Sequence, residues 1–288
     1  MTQVSARLAS LSPSATLAMS QKSSELKAQG VDVINLSVGE PDFNTPEPIK
    51  EAAKKAIDEN YSRYSPVAGY PALRNAIVAK LKNENGLEYT ANQISCANGA
   101  KQSVCNTIMV LVNPGDEVII PAPFWVSYPE MVKLAEGTPV IVAAGIEQDF
   151  KITPAQLEAA ITPKTKALIL CSPSNPTGSV YSAEELAGLA EVLKKYPEII
   201  VIADEIYEHI NYTDRRNERP YCHCQRCFQS LCHDRMAYRF HCGTGMDRKG
   251  SKQIARTIHF RTMLRIPESS RSCLHRFTGS SRRNASGI

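Results

Sequence analysis

Residues 98–101, with the sequence NGAK, lie between a predicted strand and a predicted helix. The amides of Gly99, Ala100 and Lys101 would project from the N-terminus of that helix, where unpaired N–H groups and the helix dipole favour a phosphate. An ordinary strand–helix turn can have the same sequence. Taken alone, the segment therefore fits either an anion site or a structural turn.

Three further residues could bind a flat, charged ring. Trp125 is the only tryptophan and lies in a predicted loop at a strand end, so it could stack on a ring or fill the core. Asp204 follows the apolar residues 200–203, and a carboxylate buried there needs a partner: a protonated pyridine nitrogen, a helix N-terminus or a cation. Asn175, in SPSNPTG, could donate to a phenolate oxygen or could simply start the turn before Pro176.

The elements that would position these residues alternate between strand and helix from residue 94 onward. Apolar runs such as ALILC and IIVIA predict strands covered on both faces, and the alternation predicts an α/β fold with a mostly parallel sheet. The strands end in NGAK, PAPFW, SPSNPTG and ADEIY. Because ligands of such sheets bind beyond the carboxyl ends of the strands, the four loops predict a single site.

Other elements follow from local signals. Apolar spacing predicts an N-terminal helix over 14–29, a short strand in VDVINL, and helices that begin near Thr45, as an N-cap, and near Tyr70. Ser182, followed three residues later by Glu185, predicts a capped helix.

Composition limits the class of protein. The chain has 288 residues, of which 43% are hydrophobic, enough for one or two domains with a sizeable core. No apolar stretch is long enough to span a bilayer, and the N-terminus lacks the features of a signal peptide. We therefore expect a cytoplasmic protein, with no membrane partner, whose nine cysteines are reduced thiols.

The character of the chain changes after residue 214. Residues 1–214 carry 17 Lys and Arg against 25 Asp and Glu, a balance of −8, whereas residues 215–288 carry 16 against 4, a balance of +12. The second segment also holds a Cys/His cluster, namely Cys222, Cys224, Cys227, Cys232 and His233. Zinc or nucleic-acid binding is thus an alternative function. The cluster lacks the paired C-x2-C spacing of a strong zinc motif, so we predict no metal site and no designed nucleic-acid binding.

Six stretches of the first 213 residues together resemble one family. They are SVGEPDFNTP, YSPVAGYPALR, NGAKQSV, PAPFWVSYPEM, SPSNPTG and ADEIYEHI. In this order they are similar to the class I aminotransferases of the aspartate aminotransferase type. The resemblance implies a PLP-dependent transferase-like, three-layer α/β sandwich, here incomplete, with pyridoxal 5′-phosphate (PLP) as cofactor.

The resemblance implies roles at the cofactor phosphate and at the substrate. Gly99, Ala100 and Lys101 would hold the phosphate, mainly through backbone amides. Tyr64 would reach the phosphate of a partner subunit, which implies a homodimer. Gly39 would lie at the substrate carboxylate through its amide.

It also implies roles around the cofactor ring. Trp125 would stack on the pyridine, and Asn175 and Tyr207 would hydrogen-bond its O3′ oxygen. Asp204 would pair with the ring nitrogen and keep it protonated, so that the ring acts as an electron sink. Trp125 and Asn175 would also line the substrate site with Gly39.

The residues that such chemistry needs next are missing from the sequence as read. The family's lysine, which holds PLP as a Schiff base and shuttles the proton, lies in a Ser-Lys segment followed by residues like MTGWR, and arginines for the phosphate and the substrate carboxylate follow it. No such motif occurs in residues 214–288, and Lys252 lacks the expected surroundings. The catalytic residue is therefore unknown, and we predict that the chain is inactive.

A change of reading frame near Asp214 would account for the second segment. Read one nucleotide later, with synonymous codons chosen freely, RCFQSLCHDRMAYRFHC can become GVSKAYAMTGWRIGFIA, which resembles the family's lysine segment. Two tryptophans in the shifted frame do not depend on which synonymous codons are chosen. Met236 and Met246 are each followed by a codon beginning with G, so the shifted frame must read TGG at both. The hypothesis is a frame-shifted and truncated C-terminus.

These inferences divide the chain into three parts. Residues 1–45 are predicted to be an N-terminal arm with part of the small domain, and residues 46–213 a partial PLP-binding large domain. Residues 214–288 are predicted to be an anomalous, disordered tail. By family, the substrates would be L-aspartate or a similar amino acid and the 2-oxo acid 2-oxoglutarate.

Overall fold

A computed structural model describes residues 4–36, 39, 44–208, 236–241 and 260–264. Seven strands in these ranges form one sheet: β1 (Ile94–Ala97), β2 (Glu117–Ala122), β3 (Thr138–Ala143), β4 (Thr165–Cys171), β5 (Ile200–Asp204), β6 (Met236–His241) and β7 (Phe260–Leu264). Their order across the sheet is β1-β7-β6-β5-β4-β2-β3. β7 is antiparallel to both of its neighbours, and every other pairing is parallel. The predicted mostly parallel sheet is confirmed.

Helices cover both faces of the sheet. Those described are α1 (Ala6–Ala9), α2 (Ala15–Ala28), α3 (Glu47–Asp58), α4 (Pro71–Lys80), α5 (Ala100–Leu111), α6 (Ser127–Leu134), α7 (Pro154–Ala160) and α8 (Ala183–Lys194). A π turn, Leu81–Asn85, continues α4. None of the helices in the described part of the chain is long and apolar enough to cross a membrane.

Alternate residues of each central strand pack into two separate cores. Leu168 and Leu170 of β4 pack with buried residues of α4, α7 and α8. Ala167 and Ile169 pack on the opposite face, with α5 and α6. Because successive side chains of a strand point to opposite faces, this apolar run supplies both cores. The result is a three-layer helix–sheet–helix sandwich, as the family resemblance implies.

Local capping follows the predicted signals at some helices and departs from them at others. The Ser182–Glu185 capping box is present, with the Glu185 amide donating to Ser182 Oγ over 3.2 Å. Thr45 is not the cap of α3. That helix is capped by Pro46, without a side-chain hydrogen bond.

The strand predicted in VDVINL is wrong. Residues 31–36 adopt no regular structure, and Ile34 and Leu36 are 84% and 90% exposed. A strand needs a neighbour to pair its backbone N–H and C=O groups, and the sheet pairings of the described residues include none for this segment.

Two strands lie in the segment for which the sequence predicts no order. β6 pairs in parallel with β5, with Ile202 opposite Ala237, and β7 pairs with β6 and β1. Backbone hydrogen bonds between strands do not depend on side-chain identity, so an open edge at β5 can be paired by a sequence with weak apolar character. The Cys/His cluster at 222–233 lies outside the described residues.

Candidate functional site

Four loops leave the sheet at the same edge. β2, β4 and β5 are parallel neighbours, so their carboxyl ends lie on one side. β1 runs in the same direction as β5, because it is antiparallel to β7, β7 is antiparallel to β6, and β6 is parallel to β5. The loops that follow these four strands therefore share one edge, where ligands of parallel sheets bind.

The first loop presents an open helix N-terminus. Gly99 is the N-cap of α5, with φ +91°, a left-handed conformation that favours glycine, and no side chain caps the helix. The Asn98 amide already donates to Gln102 Oε1 at 2.5 Å, and the Gly99 amide donates to the Ala97 carbonyl at 3.0 Å. The amides of the first helical turn, beginning at Ala100, have no partner within the helix. They can bind an anion with the helix dipole behind them.

The last loop begins with a buried carboxylate. Asp204 is only 2% exposed. The Tyr128 hydroxyl donates a hydrogen bond to Asp204 Oδ2, and the Ile206 amide donates to Oδ1 at 3.3 Å. Sequence reasoning missed Tyr128. The signal that could have found it is the need of a buried carboxylate for donors, together with a tyrosine in the first turn of α6, three residues after Trp125.

Trp125 connects these two loops. Its ring packs edge-on against that of Tyr128, with the centroids 5.4 Å apart and the planes at 84°. The Lys101 ammonium lies 5.1 Å from the Trp125 ring centroid, within cation–π range. Lys101, Trp125 and Asp204, predicted from separate stretches, are thus linked by direct contacts through Tyr128.

Asn175 and Tyr207, two further predicted residues, meet in a second pair. The Asn175 side-chain amide donates to the Tyr207 hydroxyl at 3.0 Å. This contact joins the loop after β4 to the turn after β5. An amide and a phenol held together in this way can bind one oxygen atom between them.

Lys151 supports the loop that carries Asn175. Its ammonium contacts Glu185 Oε1 at 2.8 Å and Asp149 Oδ2 at 3.2 Å, and donates to the Val180 carbonyl at 3.4 Å. Burial acts to lower the pKa of Lys151, but the hydrogen bonds to the two carboxylates outweigh it and the pKa is raised. The Ser179 hydroxyl donates to Asp149 at 3.2 Å, which ties the same loop down a second time.

Two other predicted residues, Tyr64 and Gly39, are exposed. Tyr64 is fully exposed, and Gly39 is exposed with no atom of the described residues within 4 Å of the position where a Cβ would be. Residues 37–38 and 40–43, on either side of Gly39, lie outside the described residues. Neither role is tested, and both stay predictions. Among the described residues no group of three or more His, Cys, Asp or Glu side chains could hold a metal ion.

Comparison with known proteins places the chain in a family. The sequence model for aminotransferase class I and II matches residues 31–232. An aspartate/prephenate aminotransferase from Cereibacter sphaeroides is 55% identical over 207 residues, which cover 72% of this chain and 52% of that protein. A bifunctional aspartate aminotransferase and glutamate/aspartate-prephenate aminotransferase from Petunia hybrida is 53% identical over 209 residues, covering 73% and 44%. The chain spans about half the length of the curated relatives it matches.

Solved structures agree with this relationship. The aspartate aminotransferase from Rhizobium meliloti superposes with a TM-score of 0.83 at 35% identity, covering 98% of this chain and 67% of that one. The enzyme from Thermus thermophilus, solved with maleate, gives a TM-score of 0.81 at 35% identity, covering 98% and 69%. By sequence and by fold, the chain belongs to the class I and II aminotransferase family.

Proposed function

We propose that this edge of the sheet is a PLP site and that the chain derives from an aminotransferase. The observation that carries the proposal is the pairing of a carboxylate, 2% exposed, with an open helix N-terminus at the same edge. A buried carboxylate suits a protonated ring nitrogen, and helix amides suit a phosphate. The two ends of the cofactor therefore have complementary groups.

The residues fit the rest of the cofactor as well. Ala100 and Lys101 would hold the phosphate by their amides, while the Gly99 amide already donates to the Ala97 carbonyl at 3.0 Å. Trp125 would stack on the ring. Asn175 and Tyr207 would hold the phenolic oxygen, and Asp204 would keep the ring nitrogen protonated, with Tyr128 orienting the carboxylate. When bound, PLP supplies a ring that accepts the electron pair released at the substrate Cα.

The substrates proposed are L-aspartate or a similar amino acid and 2-oxoglutarate. Related proteins are named aspartate/prephenate aminotransferases, and one solved neighbour holds maleate, a dicarboxylate. Gly39 would contribute its amide at the substrate carboxylate, beside Trp125 and Asn175. The full exposure of Tyr64 suits a residue that reaches a partner subunit, so we propose a homodimer. We also propose that the protein is cytoplasmic.

Cofactor binding can be tested by fluorescence, because Trp125 is the only tryptophan of the chain. Pyridoxamine 5′-phosphate, which has no aldehyde to react with surface lysines, should quench Trp125 emission with a saturable Kd. Asp204→Asn removes the negative charge that faces the ring nitrogen, so we expect about tenfold weaker binding or more. Glu158→Gln, at a partly exposed glutamate that pairs with Lys195, is the control. Quenching that does not saturate, or that is unchanged in Asp204→Asn, would contradict a PLP site.

Turnover is a separate question. Only Lys249 and Lys252 follow Asp204 in the sequence. Lys252 follows a serine, but neither lysine is followed by residues like the family's MTGWR. Without the lysine that anchors the cofactor and moves the proton, we expect no measurable transamination by the purified 288-residue protein. Transamination of aspartate and 2-oxoglutarate that borohydride abolishes would show that a lysine of this chain does the work.

A further inference from the structure

A closed triad of polar side chains lies behind the turn that carries Tyr207. Lys80 Nζ lies 2.5 Å from Glu208 Oε2, the Asn85 amide donates to Glu208 Oε1 at 2.5 Å, and Lys80 Nζ donates to Asn85 Oδ1 at 2.7 Å. The Lys80 and Glu208 side chains are each only 10% exposed. Both carboxylate oxygens of Glu208 are therefore held by residues more than 120 positions away in the sequence.

The π turn after α4 makes this geometry possible. In an α-helix, the residues that share a face are three or four apart. Lys80 and Asn85 are five apart, and they bond to each other because the backbone widens into i→i+5 bonding over Leu81–Asn85. Gly86, in a left-handed conformation with φ +67°, ends the turn directly after Asn85. The widened turn thus places two side chains on one carboxylate.

The position of Glu208 connects the triad to the candidate site. Glu208 directly follows Tyr207, whose hydroxyl accepts the hydrogen bond from Asn175. The preceding end of the same turn is fixed at Asp204, through Tyr128. The four residues after β5 are therefore anchored at both ends, and Tyr207 lies between the anchors. Packed apolar side chains could fasten the turn, but they would fix its direction less tightly than a buried ion pair with three hydrogen bonds.

We propose that the Lys80–Asn85–Glu208 triad positions the Tyr207 hydroxyl beside Asn175, where the two would hold the phenolic oxygen of the cofactor. None of the three residues touches the cofactor in this role, so they are positioning residues. The inference rests on the proposed function, because it names what fixes one contact of the proposed PLP site.

The experiment compares two probes that differ only at the phenolic oxygen. Pyridoxamine 5′-phosphate has a free phenol, and its 3-O-methyl ether cannot form the phenolate. With the full-length wild-type protein, quenching of Trp125 should give a lower Kd for the free phenol than for the ether. In Glu208→Gln we expect about tenfold weaker binding of the free phenol and little change for the ether, the loss of roughly one hydrogen bond to a charged group. Asn85→Ala keeps the Lys80–Glu208 pair, so its Kd for the free phenol should lie between those of the wild type and Glu208→Gln.

A destabilising variant outside the triad separates a positioning role from a general loss of stability. Leu157→Ala removes a fully buried side chain of α7, outside the triad and the site, and should lower the melting temperature without changing the ratio of the two Kd values. Equal weakening of both probes by Glu208→Gln and Asn85→Ala, or no weakening by either, would overturn the inference alone. Failure of the wild type to bind either probe would overturn the proposed function and this inference together.

Discussion

Asp204 lies at the end of β5 with both carboxylate oxygens bonded, Oδ2 by the Tyr128 hydroxyl and Oδ1 by the Ile206 amide. Tyr128→Phe keeps the packing and removes the hydroxyl, which takes one hydrogen-bond donor away from a buried carboxylate. We expect the free energy of unfolding to fall by about 1–3 kcal/mol, measured by urea denaturation. Tyr196→Phe, at a half-buried tyrosine after α8, should stay within about 0.5 kcal/mol of wild type. Equal losses of unfolding free energy in the two variants would show that the Tyr128 hydroxyl does not stabilise the buried Asp204 carboxylate.

Tyr181 gives a prediction for alkaline pH. Burial raises its pKa to about 12 from an ordinary value near 10, although its hydroxyl accepts a bond from the Ile152 amide at 2.9 Å that acts in the opposite direction. Between pH 10 and 12 the unfolded chain loses the phenolic proton and the folded chain keeps it. Stability therefore falls as the pH rises through this window, by roughly 2–3 kcal/mol from this group.

Tyr181→Phe tests this assignment. At pH 8 the variant should be less stable than wild type by about 1–3 kcal/mol, since the Ile152 amide loses its acceptor. The difference should shrink between pH 10 and 12, because only the wild type has the phenol to titrate. Urea denaturation at each pH measures it, and a difference that stays constant across the window would show that Tyr181 titrates normally.

The order of Lys101, Trp125, Asn175 and Asp204 along the chain was enough to predict that they share one edge, because parallel strands bring their carboxyl ends together. Tyr128 and the triad were not predictable in the same way. Which donor reaches a buried carboxylate depends on how a helix packs on the sheet, and this packing leaves no signal in the local sequence. The Tyr128–Asp204 and Lys80–Glu208 contacts, between residues more than 70 positions apart, depend on such packing.

At the scale of elements, local rules worked where both partners are close in sequence and failed where they are not. The capping box at Ser182 needs only Glu185 and is present. The strand predicted in residues 31–36 needs a partner strand, and the described sheet does not supply one. The π turn at Leu81–Asn85 was not predicted either, since LKNEN holds a single apolar residue and the contacts that accompany the turn come from the distant Glu208.

Glu185 joins two elements, and its variants should separate its two roles. Its carboxylate accepts from the Ser182 amide at 2.6 Å and contacts Lys151 at 2.8 Å. Glu185→Gln keeps an acceptor for the cap but loses the charge, so we expect a cost of about 0.5–1 kcal/mol. Glu185→Ala loses both and should cost about 1–2 kcal/mol. Thermal and urea unfolding measure these costs, and equal costs for the two variants would mean that the cap contributes nothing.

For the whole molecule, the sequence of β6 is unusual for its place in the sheet. β6 lies between β5 and β7, and interior strands of parallel sheets commonly read as continuous apolar runs. Residues 236–241 instead read MAYRFH, with an arginine and a histidine. In the shifted frame the same nucleotides can encode WRIGFI, which is mostly apolar. The contrast supports the proposal that the reading frame changes near Asp214.

Removing one nucleotide directly after the codon for Asp214 tests the change of frame. We expect the gene to encode the GVSKAYAMTGWRIGFIA string, and we expect the resulting protein to bind PLP covalently through the lysine of that string. Visible absorbance of the bound cofactor, fixed by borohydride and located by mass spectrometry, is the measurement. Replacing that lysine by alanine in the same gene is the matched control and should abolish the fixation. A gene sequence without the string, or a string without covalent PLP, would leave the basic segment after Asp214 as the chain's own, and the missing lysine would then have no explanation in the reading frame.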